Sequence, residues 1–164
     1  MNKVNEECCP KFNPSKWDEK NFEWKEKEFI KASVPTFFHI PFSPMLAKKI
    51  TNMIKIAEDA QKLSASKEDI LLLFSDPHPF KSELYLSVTG QVPNFVNCKI
   101  SGNFLSKVFD GEYKQLPSFI KEMDTYLNSK NKNAKQYYVH YAYCPKCSKD
   151  FGHNYMVLFA DLTS

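Results

Sequence analysis

Two stretches of this chain, residues 29–90 and 98–162, carry the same order of hydrophobic patterns. They lie roughly seventy residues apart, and this recurrence constrains the fold more than any other feature. In the first stretch, "FIKASVPTFFHIP" is rich in β-branched and aromatic residues and closes on proline, so it reads as a strand. "SPMLAKKITNMIKIAEDAQKL" then predicts a helix over 44–63, with Ser43 as N-cap, Pro44 in the first helical position and Leu46, Ile50, Met53, Ile54 and Ala57 on one face. "DILLLFSD" and "SELYLSVTG" are two strands around the turn "DPHPF". The second stretch repeats the order. A strand, "NCKISGNFLSKVFDGEY", precedes a helix over 116–129 with Leu116, Phe119, Ile120, Met123 and Leu127 on one face, and "KQYYVHYAYCP" and "NYMVLFADL" supply two more strands. One β-α-β-β unit cannot cover its own sheet. The expected fold is therefore α+β: a single domain at 29–164 built from two units, with a mainly antiparallel sheet, both helices on one face and a cleft between the halves. A leader, residues 1–28, is expected to pack on it.

What the composition lacks narrows the function. The net charge is +3, from 22 basic and 19 acidic side chains spread along the chain, so no basic stripe awaits nucleic acid. The N-terminal "MNKVNEECCPKFNP" places acids and cysteines where a signal peptide needs an apolar core, and no apolar run approaches the roughly 20 residues that cross a bilayer. The expectation is a cytoplasmic protein, monomeric or weakly dimeric, with neither nucleic acid nor membrane as partner. Four glycines cannot build a Rossmann fingerprint or a P-loop, so no nucleotide cofactor is expected. Neither a Gly-x-Ser-x-Gly elbow nor a His-Glu-x-x-His helix is present.

The cysteines are Cys8, Cys9, Cys98, Cys144 and Cys147, an odd number in a chain without a secretory signal, which argues against a disulfide framework. Cys144 and Cys147 form the pair "CPKC", read as part of a loop between hairpin strands. Three readings stand: a metal clasp, free structural thiols and a redox dithiol. The clasp requires further ligands, since tetrahedral Zn(II) takes four donors. Cys8 and Cys9 would complete it and tie the leader to the second hairpin, although adjacent cysteines seldom both reach one ion; His153 in the same loop is the alternative. Zn(II) here would be structural.

Aromatic residues make up 15% of the chain, and tyrosines bring a polar tip that a dry core must satisfy. Trp24, Tyr85, Tyr138, His140 and Tyr141 are the candidate ligand-binding residues. His140 is read either as a hydrogen-bonded interior histidine or as a base, with a pKa near 6 to 7. Glu83 in "SELY" and Glu112 in "DGEY" are the acids nearest the expected cleft and complete the candidate catalytic set.

The stretch "ISGNFLSKVFDGEYKQLPSFIKEMDTYL", with the two strands after it, resembles the second half of gyrase-inhibitor-like small-molecule-binding domains, and Gly111-Glu112-Tyr113 is the closest local match. The leader "ECCPKFNPSKWDEKNFEWKEKEF" together with "CPKC" looks like a bacterial subgroup loosely labelled hydrolase. The resemblance implies capture of apolar or aromatic compounds between the repeats and, in some members, their hydrolysis. It also implies a pocket glutamate on the strand after the second helix, where this chain has "QYYVHYAYC" and no carboxylate. The alternative function is a zinc-stabilised protein-interaction module without catalytic activity; thiol oxidoreductase chemistry is a third reading.

Overall fold

A computed structural model describes residues 9–35, 44–78 and 81–163. In chain order these form β1 (Lys20–Pro35), α1 (Pro44–Asp59), β2 (Leu72–His78), β3 (Lys81–Ser87), β4 (Val96–Asp110), α2 (Leu116–Ser129), β5 (Gln136–Tyr141), α3 (Pro145–Phe151) and β6 (Tyr155–Asp161). The order β-α-β-β thus occurs twice, with α3 inserted between the last two strands. Ser43 and residues 36–41 of the first expected strand lie outside the described residues, as does Cys8. That strand begins at Lys20, nine positions before the expected start, because the polar "KNFEWKEKE" alternates Phe22 and Trp24 against charged neighbours.

The sheet is not the open one expected, with helices covering one face. All six strands pair antiparallel in the order β1-β3-β2-β5-β6-β4, and β4 returns to β1, closing a barrel. Each half contributes its strands in the order first, third, second. Two seams join the halves. At the β1·β4 seam the register runs from Lys20 opposite Ser106 to Lys31 opposite Val96, with a bulge between Trp24 and Lys27. At the β2·β5 seam it holds Leu73 opposite His140 and Phe74 opposite Val139. Closure satisfies the edge hydrogen bonds that an open sheet would leave on β2 and β5. Alternating hydrophobicity is the same in open and closed sheets, which is why the strand patterns did not reveal the barrel.

The two sheet faces differ. On one, Ile30, Leu84, Leu86, Val139 and Leu158 pack with Met53 and Ala57 of α1 and with Phe119, Met123 and Leu127 of α2. On the other, rings from strands that are not neighbours meet: Tyr85 of β3 and Tyr138 of β5 lie 5.7 Å apart, and Trp24 of β1 and Phe159 of β6 lie 5.5 Å apart. Side chains converge across an intervening strand only on a concave face, so the aromatic cluster fills the interior. Six strands leave no room there for a helix, and α1 and α2 pack outside.

Both long helices stop in the same way. Lys62 N–H bonds to Ala57 C=O and Lys132 N–H to Leu127 C=O, across Gln61 and Asn131 at φ 56°. This is a Schellman end built without glycine, and it stops α1 at Asp59 instead of Leu63.

Candidate metal centre and adjoining cavity

"CPKC" does not form a loop. Cys144 is the N-cap of α3, its sulfur accepting from Cys147 N–H at 3.5 Å, with Pro145 in the first turn and Gly152 closing the helix at φ 71°. The leader arrives from the other side. Cys144 N–H points to Cys9 Sγ at 3.4 Å, and Phe12 N–H donates to the buried Tyr143 hydroxyl at 2.9 Å. The sulfurs of Cys9, Cys144 and Cys147 consequently lie within 4.8 Å of one another.

Three thiols at this spacing could hold a metal ion. Tetrahedral Zn–S bonds of about 2.3 Å place sulfurs roughly 3.8 Å apart, so less than about 1 Å of closure is needed. The backbone N–H groups aimed at Cys9 and Cys144 are donors suited to thiolate ligands. Burial pushes the Cys9 thiol well above its ordinary pKa. His153, the other candidate donor, instead pairs with Asp110 at 2.7 Å and stacks on Tyr155. Cys98 lies apart from the group, against the interior aromatic cluster.

A cavity of about 290 Å³ adjoins the cluster. The leader lines one side with Cys9, Phe12 and Trp17; α1 adds Ile54, and Leu72, Leu86 and His140 come from β2, β3 and β5. It sits at the short β2·β5 seam, where backbone pairing has ended. There His140 Nδ1 lies 3.2 Å from both the Leu72 N–H and C=O, so a side chain takes over from the ladder. Burial pulls the His140 pKa down to about 4, against the smaller opposing effect of its bond to Leu72.

The other sequence candidates fall elsewhere. Trp24, Tyr85 and Tyr138 are buried within the barrel interior, and none of them lines this cavity. Glu83 is beside them, accepting from Tyr85 O–H at 2.8 Å and pairing with Lys31 at 3.2 Å. Tyr141 lies on the opposite sheet face, against Phe74 and Tyr113. Glu112 is exposed, paired with Lys114 at 2.8 Å, its N–H capped by Gln115 Oε1. Sequence reasoning brought out Cys9, Cys144, Cys147 and His140 but missed Phe12, Trp17 and Tyr143. The signal for Trp17 was present in "NPSKW": Asn13 caps a 3-10 turn begun by Pro14, which delivers Trp17 to the barrel.

Among the described residues no helix is long and apolar enough to cross a membrane. A search of curated proteins gave no match. The family model described as bacterial hydrolase matches residues 1–162, and the chain therefore belongs to that bacterial hydrolase family.

Proposed function

We propose that this hydrolase-family protein captures a small apolar compound in the cavity at the β2·β5 seam and hydrolyses it, with His140 as the base. The observation that carries this reading is the His140 imidazole, held at Nδ1 by Leu72, in the lining of a cavity whose wall is mostly apolar, with Lys11, Lys16, Lys67, Glu58 and Glu68 as its charged residues. The cavity's volume is at the lower end of ligand sites, matching a compound with one or two rings. In the tautomer that donates Nδ1–H to Leu72 C=O, Nε2 is the basic nitrogen. Nε2 accepts a proton from water as the water oxygen bonds to an acyl carbon; when the bond to the leaving group breaks, Nε2 returns that proton to the leaving-group atom, which departs neutral and leaves the imidazole as it began. A base with so low a pKa is weak but fully deprotonated at neutral pH. The twofold β-α-β-β order supports kinship with gyrase-inhibitor-like binding domains.

The ion we assign to the three thiols is Zn(II), in a structural role, with Cys8 or a water as fourth donor. A second reading, a zinc-stabilised interaction module without turnover, draws support from the barrel interior, where Trp24, Tyr85 and Tyr138 pack on one another instead of lining a cleft. An activated ester such as p-nitrophenyl acetate separates the two. Turnover should rise with pH through about 4 and be flat by about 6. His140→Gln should lower it at least ~100-fold. Turnover unaffected by that substitution, or absent while apolar compounds also fail to bind, leaves the interaction module.

A further inference from the structure

Cys9 belongs to two sites at once: its sulfur is part of the three-thiol cluster, and the residue lines the cavity. The chain that follows continues the same wall through Phe12, Lys16 and Trp17. Trp17 is held independently, buried against Phe22 and Phe159. Phe12 rests on Tyr155 at 5.1 Å and on the Tyr143 hydroxyl. At Cys9 itself the attachment to α3 runs through the Cys144 N–H and the thiols of Cys144 and Cys147, and hydrogen bonds to sulfur are weak ones for a segment that must be kept ordered. A metal–thiolate bond is far stronger.

We propose that a thiophilic divalent cation of the zinc class, bound by Cys9, Cys144 and Cys147, fastens the leader as one wall of the cavity, so that metal occupancy sets access to it. On binding, each thiol gives its proton to solvent and its sulfur lone pair to the ion; nothing is oxidised or reduced. Loss of the ion frees the wall at Cys9 and leaves the barrel closed, because the ladders and the aromatic interior do not pass through the cluster. The effect on access rests on the cavity reading above, whereas the fastening does not.

The test uses the full chain, purified without a histidine tag, with its zinc content measured before and after a chelator and after zinc is restored. Hydrogen exchange of residues 9–17 is followed against α2. About one zinc per chain is expected, with exchange in 9–17 at least ~10-fold faster after metal removal, α2 unchanged, and full reversal by zinc. Cys147→Ser should lose the zinc and Cys98→Ser should keep it; the reversible chelation decides the matter even if the first variant folds poorly. Absence of stoichiometric zinc, or leader exchange indifferent to it, overturns the proposal. An apolar fluorescent dye provides the second arm. Affinity about 10-fold weaker without metal is expected, and equal affinity with and without metal overturns the control of access. A dye that binds neither form removes the cavity reading and with it the control of access, while the exchange data separately decide the fastening.

Discussion

The two seams that close this barrel are built differently. The β1·β4 seam is a long ladder with buried Trp24, Phe29 and Phe104 behind it, whereas the β2·β5 seam pairs at Leu73 and Phe74 and then passes its hydrogen bonds to a side chain, His140. A similar asymmetry separates the hairpins: β2 and β3 are joined by residues 79–80, but β5 and β6 by a connection that contains α3 and two thiols. Where the ladder is long the barrel is structural. Where it is short there is room for a cavity, a histidine and three thiols that could hold a metal ion, and these are positioned by caps, rings and sulfur instead of by strand pairing.

The sharpest way to break this contrast is at the long seam. Phe104 is 1% exposed and stacks on Trp24 at 4.5 Å, so Phe104→Ala should cost about 3–5 kcal/mol in denaturant unfolding. A loss below about 1 kcal/mol would place the stability of the barrel elsewhere. Next comes Gly102, opposite Trp24 beside the bulge, at φ 152°. An added Cβ would come within 2.2 Å of Thr163 Oγ1, so Gly102→Ala should cost about 1–3 kcal/mol and loosen the C-terminal end of the chain in hydrogen exchange.

The short seam should respond less to mutation and more to pH. His140→Phe takes from Leu72 the one backbone hydrogen bond that Nδ1 makes, to its C=O in the tautomer assigned above, and should cost about 1–2 kcal/mol at pH 7. The folded pKa of His140, about 4, lies below the unfolded value of 6.5, so between these pH values the unfolded chain holds more protons. Stability should therefore rise from pH 4 to 6.5 and level off above, by on the order of 1 to 3 kcal/mol. Chemical melts across that window should lose this component of the slope in His140→Phe; a slope that survives unaltered would mean that the imidazole is not desolvated. The smallest effect belongs to the surface. Lys16 and Asp69 pair at 2.8 Å with both side chains well exposed, and Lys16→Ala should leave the unfolding midpoint unmoved within error.

Helix α2 was legible to the residue, because Phe119, Met123 and Leu127 repeat at four-residue spacing and Pro117 marks its first turn. The end of α1 was not, since Gln61 adopts a conformation usually signalled by glycine. Part of the site was legible too. "CPKC" and the leader cysteines announced thiol or metal chemistry by residue type alone, but the seven-residue helix α3 was hidden in a segment too short to show a helical period. Nothing in "HYAYCP" signalled that His140 would stand in for a ladder at Leu72, a partner 68 positions away.

The sequence by itself determined the six strands, the two long helices and their repetition, because hydrophobic period and caps act over a few neighbouring residues. By residue type it also offered the thiols and the histidine as candidates for chemistry. Only the tertiary structure decided that the sheet closes, that Tyr85 and Tyr138 fill its interior, and that Cys9 meets Cys144 across 135 residues. These outcomes depend on register and on long-range closure, and strands with the same alternation satisfy an open sheet and a barrel equally well until the edges find each other.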